Sequence, residues 1–407
     1  MDIVILSTFD IWPPLDGGQN RYFNIWRNFS EANNIKIIAY DFRNSRVPRR
    51  YKIAPHVEVV VPVAAEHDSR LFHQMLAETG LWLHDVLCLN RYCFSSDFIQ
   101  TLCHYVHFAD VVVASHPYLA SVAFPFARSR TLKVYESYNV EFDIKQDYFK
   151  QGKNGHLLSD LLNEVRVHEE RAARLSDKVT VVSGDDAFRF QSLYKIAASK
   201  IFVVPNGTNV ANAVKLDLAA KSLLRKAIDI DDDIIGVFLG SAYPGNVESY
   251  RRSRLLLHQS GFCGTLIVIG SIASVNREDW PEVGFEEVWF GFVEEDLKSI
   301  LLALADFALH LIFSGAGTNL KIFDYMASGV PILANAFGRR GIDGQNWCLQ
   351  VETVDEIKNA LSIVRDADHR CDQLVRSAQI IVANSFDWRS ISLRFEKIVC
   401  GRDSNFS

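Results

Sequence analysis

The sequence has no C-x-x-C pair, no window near the ~18 apolar residues of a membrane span, no excess of positive charge and no repeated or low-complexity segment. Each absence closes a class of function. Seven cysteines, Cys88, Cys93, Cys103, Cys263, Cys348, Cys371 and Cys400, are odd in number and scattered, so they read as reduced thiols of a cytoplasmic chain rather than a disulfide framework or a zinc site. The start, Met1-Asp2-Ile3-Val4-Ile5-Leu6, carries an acid where a secretory signal carries bases, and its apolar run has a strand's length. Without a span, any membrane contact is peripheral, at the inner face. A net charge of −6 argues against nucleic acid as a partner. No G-x-G-x-x-G follows the first strand, which disfavours a nicotinamide-dependent dehydrogenase. No D-x-D sits at a strand end, and Asp231-Asp232-Asp233 falls in a polar stretch, so no metal site is read. The clusters Arg49-Arg50-Tyr51-Lys52 and Arg251-Arg252-Ser253-Arg254 read as solvated faces.

What is present suffices for two domains: 407 residues, 48% apolar and 12% aromatic. Buried-strand candidates at 3–7, 35–40, 57–61, 111–114, 132–135, 178–182 and 201–204 alternate with helical patterns, among them 71–87, broken at Gly80, and 97–108. That rhythm predicts a doubly wound parallel α/β sheet. A Pro205-Asn206-Gly207 turn and a polar stretch over 211–233 read as a domain junction. The rhythm resumes with strands at 234–239, 265–270, 288–293, 307–313 and 330–334, then helices at 354–364, 370–384 and 390–399.

Three strand–turn–helix passages have the chemistry of an anion seat, where backbone N–H groups and the positive end of a helix meet beside glycines. One carries Gly17 and Gly18 behind two prolines. A second runs Gly240-Ser241 to Asn246, with a helix from about Val247. The third is SGAGTNLKIFDYMASGVP at 314–331. In it Gly315 and Gly317 make the turn, Thr318 or Asn319 caps the helix, and Leu320, Phe323 and Ala327 form its apolar face. Lys321 and Asp324 lie three apart on one face. They read either as a cation for phosphate beside a carboxylate for two vicinal hydroxyls, or as an ordinary i,i+3 ion pair on a structural helix. His116 ends a strand, where open α/β sheets place ligands; it reads either as a group that orients or deprotonates a hydroxyl or as a structural histidine. After the next strand, Glu136, Asn139 and Glu141 either line the acceptor side or cap the following helix.

The stretch G-A-G-T-N-L-K-I-F-D-Y-M-A-S-G-V-P resembles the donor-nucleotide motif of the GT-B retaining glycosyltransferases of family 4, in a G-x-G-T-x-L-K variant. The likeness extends to P-P-x-x-G-G near the start, to His116 in its post-strand loop, to Y-E-S-Y-N-V-E where D-S-H-N-V-E is common, to P-N-G, to G-S-x-x-P-x-N and to the closing helix. It implies two Rossmann-like domains facing a central cleft: an acceptor-side domain over 1–205, joined by the C-terminal helix 386–400, and a donor domain over 206–385. The implied activity is transfer of a sugar from a nucleotide-diphosphate sugar to a hydroxyl of a glycan, lipid-linked or small-molecule acceptor, with retention, without metal and with no cofactor beyond the donor substrate. By the same resemblance Asp324 binds ribose, Phe292 and Val293 hold the base by backbone contacts, and Gly17, Gly18, Gly240, Ser241, Asn246, Gly317, Thr318, Asn319 and Leu320 surround the donor. Lys321 and His116 are the implied catalytic residues, and Glu136 and Asn139 lie toward the acceptor.

Two departures stand out. The commoner family form has two glutamates separated by seven residues; here the second acid is Asp324, and Ser314 stands where the first would precede the glycines, two residues further off. Many members carry an Arg and a Lys over 240–246, where this chain has neither, leaving charge neutralisation to Lys321, the Gly240 amides and Arg251 or Arg252. A nucleotide-sugar epimerase on the same fold and a non-catalytic nucleotide-sugar-binding partner in polysaccharide assembly are the alternatives.

Overall fold

A computed structural model describes residues 1–14, 17–41, 47–89, 94–230, 234–314, 320–342, 344 and 346–400. The chain divides into two compact units, Met1–Pro205 together with the chain from Ile391, and Asn206–Ser390.

The strands of the first unit are β1 (Asp2–Ser7), β2 (Asn34–Ala39), β3 (Arg49–Ala54), β4 (Val57–Val61), β5 (Val111–Ser115), β6 (Leu132–Glu136), β7 (Lys178–Val181) and β8 (Ile201–Val203). They form one sheet in the order β3-β4-β2-β1-β5-β6-β7-β8, parallel except for β3, which runs antiparallel to β4. Ile3, Ile5, Ile37, Val59 and Val113 are wholly buried, as a parallel sheet covered on both faces requires. From β1 the chain winds toward β4, then returns to place β5 on β1's other side. The switch point therefore lies between the ends of β1 and β5.

The second unit follows the same rule. Its strands are β9 (Ile235–Leu239), β10 (Thr265–Ile269), β11 (Glu286–Phe290), β12 (Phe307–His310), β13 (Ile332–Ala334) and β14 (Leu349–Gln350). They are all parallel, in the order β11-β10-β9-β12-β13-β14. This is the doubly wound order whose ligand crevice opens outside the carboxyl ends of its two central strands, here β9 and β12.

Several predicted boundaries are corrected. The basic cluster at 49–52 is not merely a solvated face but strand β3, where Arg49 pairs with Asp10 at 3.0 Å and Asp41 at 3.2 Å; charge on an edge strand discourages pairing with other chains. The polar stretch at 211–233 is not only a junction. It contains the helix Leu218–Ala227, capped by Asp217 and tied to the unit by Arg225, which pairs with Asp306 at 2.7 Å. The helix expected from Val247 begins at Pro244, because proline suits a first turn whose N–H has no partner. Gly17 and Gly18 open the helix Gly17–Arg27 instead of preceding it. The pattern at 71–87 resolves into the helix Glu66–Thr79, closed by Gly80 at φ 71°, and a short 3-10 turn Val86–Cys88.

The final helix, Trp388–Val399, packs Phe395 against Trp26 and Phe29, with ring centroids 5.2 and 5.9 Å away. Its Glu396 accepts from the Ser30 amide and the Asn33 side chain. Among the described residues no helix is long and apolar enough to cross a membrane.

The carboxyl ends of β9, β10 and β11 are locked together by backbone. Gly240 N–H donates to Ile269 O and its carbonyl accepts from Ile272; Gly270 N–H reaches Phe290 O and Gly291 O. Gly270 sits at φ 110°, and a Cβ there would lie 2.3 Å from Gly240 O. Gly270→Ala should therefore cost about 2–4 kcal/mol, read as an earlier urea transition of the second unit. An unchanged midpoint would contradict the lock.

Candidate active site

At the switch point of the second sheet, two distant sequence motifs meet. Lys321, at the head of the helix Lys321–Ser328, donates from Nζ to Asn246 Oδ1 at 2.9 Å. Asn246, in the first turn of the helix Pro244–Gln259, donates from Nδ2 to Ser241 Oγ at 2.7 Å. The result is one hydrogen-bonded line from the lysine to the loop after β9. The ammonium also lies 5.0 Å from the centre of the Phe238 ring, a favourable seat for a cation. Lys321 as a residue is half-buried, and burial pulls its pKa from 10.5 down to about 7. Among the described residues no carboxylate pairs with it. His310, at the end of β12, is pushed down to about 3, first by burial and then by the Lys321 charge, so it stays neutral.

Packing around this line is rigid. Tyr325 accepts the Leu239 N–H on its hydroxyl at 2.6 Å, joining the Lys321 helix to the end of β9. Beyond β12, the Asn335 side chain imitates a strand partner: Oδ1 accepts from the Ile312 and Gly338 amides and Nδ2 donates to Ile312 O. Phe313 N–H donates to Ser249 Oγ at 3.2 Å. Together these fix both ends of the stretch that contains the motif loop.

The i,i+3 ion pair between Lys321 and Asp324 does not form. Asp324 instead accepts from the Thr208 hydroxyl at 2.5 Å and from Lys298 Nζ at 3.1 Å. Burial works against the Lys298 charge, but Asp324 and Glu295 outweigh it and raise the lysine's pKa. Gly315, Gly317, Thr318 and Asn319 lie outside the described residues, so the predicted cap at 318 or 319 does too; Leu320 is helical at the head of Lys321–Ser328. Phe292, exposed, and Val293, half-buried, lie beyond the end of β11. Arg251 lies over the Trp280 ring at 6.0 Å and Arg252 over the Phe313 ring at 3.9 Å. Arg254 is held by Glu287.

In the first unit His116 follows β5 at the other switch point. Its backbone is left-handed, at φ 66°, an uncommon state for a residue with a side chain. Its amide donates to Glu136 O at 3.1 Å. The ring stands edge-on to Tyr138 at 4.5 Å and Phe9 at 6.0 Å, with Nε2 3.9 Å from Glu141 Oε1. Glu136 is closed to solvent. It accepts from Ser115 Oγ at 2.7 Å and faces Arg21 Nε at 3.5 Å; burial raises the acid's pKa and lowers the base's. Arg21 also donates to Val204 O and Pro205 O. Asn139 is half-buried, its carbonyl accepting from the Ser137 hydroxyl. The helix Glu141–Phe149 is capped from elsewhere: Glu169 accepts its first two amides at 2.8 and 2.9 Å, along with the Tyr194 and Tyr135 hydroxyls. Burial lifts Glu169 to about 7.

Sequence reasoning did not find Arg21, Thr208, Lys298, His310, Asn335 or Glu169. Arg21, three positions after Gly18, carried a positional cue; the others depend on tertiary contacts alone.

No protein-family model and no curated protein matches the chain. Solved structures do. Sucrose-phosphate synthase from Thermosynechococcus elongatus superposes with a TM-score of 0.72 at 13% identity, over 99% of each chain. HepE from Anabaena, in complex with UDP-glucose, gives 0.64 at 14% identity over 98% of this chain and 99% of that one. The UDP-forming α,α-trehalose-phosphate synthase from Burkholderia xenovorans, in complex with glucose-6-phosphate, gives 0.64 at 11%, over 98% and 100%. The fold is the GT-B fold of these proteins.

Because the folded pKa of Lys321 lies below the ordinary 10.5, the native state loses that proton before the unfolded chain does. The destabilisation is therefore complete below about pH 7 and fades as pH rises toward 10.5. Lys321→Met should stabilise the ligand-free protein at pH 6, with a gain that shrinks by pH 10, in paired urea titrations. A gain independent of pH would show that the ammonium's charge is not its source.

Proposed function

We propose that the chain is a glycosyltransferase that moves a sugar from a UDP-sugar to a hydroxyl of a sugar or glycan acceptor. The observation that carries this reading is the Lys321–Asn246–Ser241 line at the carboxyl ends of β9 and β12. It offers one cation, two neutral hydrogen-bonding side chains and a helix N-terminus at the place where doubly wound sheets bind nucleotides. Supporting it, structures of the same fold include HepE in complex with UDP and with UDP-glucose.

As the acceptor's hydroxyl oxygen bonds to the sugar's anomeric carbon and the bond from that carbon to the diphosphate oxygen breaks, negative charge grows on the leaving diphosphate, which takes up the acceptor's proton. Lys321 meets that charge in a site already shielded from water, where a fixed cation acts strongly. A lysine poised near neutrality gains a proton as the anion arrives. The helix amides and the Asn246 and Ser241 side chains supply hydrogen bonds in place of further cations, so the scheme needs no metal; retention is what the family resemblance implies. His116 orients the acceptor hydroxyl or the transferred sugar. In an uncommon backbone state and walled by aromatic rings, its imidazole is held in one orientation.

Purified protein should release UDP from a UDP-sugar only when an acceptor is present, and EDTA should leave the rate unchanged. Lys321→Ala should cut kcat by about 10²–10³-fold with no loss of the folded state in its thermal melt. Unchanged activity would remove Lys321 from the mechanism, and loss in EDTA would contradict the metal-free scheme. A changed sugar without acceptor would mark an epimerase. Ser241 and Asn246, standing where a basic pair is common, favour one second reading, a nucleotide-sugar binder without turnover; tight UDP binding with no product on any acceptor would establish it.

A further inference from the structure

Resting on the donor reading above, we infer that Lys298 is a positioning residue for the donor's ribose, fixing Asp324 so that its two oxygens meet the two hydroxyls of a ribonucleoside. Asp324 is anchored at both oxygens by groups from outside its own helix. Oδ1 takes the Thr208 hydroxyl at 2.5 Å and Oδ2 takes Lys298 Nζ at 3.1 Å. A carboxylate has about four lone-pair sites, so one donor on each oxygen leaves each with one acceptor direction. Two such directions, side by side, match a vicinal diol.

The anchors are themselves fixed. Thr208 is pinned through its backbone: its N–H donates to Phe386 O at 2.9 Å and its carbonyl accepts from Trp388 at 3.0 Å. Lys298 sits in the first turn of the helix Glu295–Leu304 and also pairs with Glu295 at 2.8 Å. That helix opens two residues after Val293, the segment assigned to the base. Lys298 thus ties the element beside the base to the carboxylate beside the ribose and sets the spacing between them. The Lys298 and Asp324 side chains are 19% and 20% exposed, shielded from bulk water yet reachable by a ligand. An aspartate has one methylene less reach and freedom than a glutamate, so its aim depends on such anchoring.

The predicted signature is selectivity for ribose. Isothermal titration of UDP and 2′-deoxy-UDP into the full chain should show the ribonucleotide bound about 10-fold or more tightly, the worth of a hydrogen bond to a charged group. Lys298→Met should weaken UDP about 10-fold while leaving 2′-deoxy-UDP within about twofold, so that the preference collapses; Lys298→Arg should retain most of it. Should Lys298→Met fail to fold, Thr208→Val removes the tie on the other oxygen and should erode the same preference. Equal losses for both nucleotides, or a preference that survives in the variants, would overturn the role of Lys298 while leaving the donor reading intact. Wild-type protein that binds no uracil, adenine or guanine nucleoside diphosphate would overturn both.

Discussion

An ammonium that pairs with no carboxylate among the described residues is the constraint on which the second unit depends. Lys321 rests between the Phe238 ring and the Asn246 side chain, and removing a charge from water without an opposite charge beside it is costly. The protein meets that cost by letting the lysine titrate near neutrality and by building a frame that does not yield. The glycine lock under β9 to β11, the Tyr325 hydroxyl on Leu239 and the Asn335 clasp beyond β12 all bear on the two loops that the lysine joins. Under the proposed function, a ligand that carries negative charge relieves that cost.

The acid one turn along plays an opposite part. Asp324 pairs with Lys298 and accepts the Thr208 hydroxyl. One helix therefore presents, among the described residues, a cation with no carboxylate partner and, one turn along, a carboxylate with an ion-pair partner. The first unit uses its own switch point differently. There the buried Arg21–Glu136 pair and the Glu169 cap lie around His116, whose imidazole stands among aromatic rings at the strand ends.

The architecture was legible because parallel strands buried on both faces must be runs of Ile, Val and Leu, and β1, β2, β5, β9 and β10 are such runs. Strand β3 was not, since Arg49-Arg50-Tyr51-Lys52 is mostly charged and alternates only in exposure, not in apolarity. The helix Leu218–Ala227 hid behind its lysines and arginine, and Pro244 was read as part of a turn although a first helical position accepts it. Within the site, Lys321 and Asn246 were each legible from local turn chemistry. Their bond was not, because it spans 75 positions and exists only once β9 and β12 lie side by side. The i,i+3 spacing of Lys321 and Asp324 left two readings open and could not decide between them: spacing on a helix says which residues share a face, whereas the aspartate's partner, Lys298, comes from a different helix.

The central claim, that Lys321 is the cation waiting for a diphosphate, is tested most directly by proton uptake on binding. UDP titrated calorimetrically at pH 8 in two buffers of different ionisation enthalpy should draw close to one proton per site into the wild-type protein, about 0.9 for a group near pKa 7 that regains its charge, and none into Lys321→Met. Binding of UDP by the wild type without proton uptake would contradict the account.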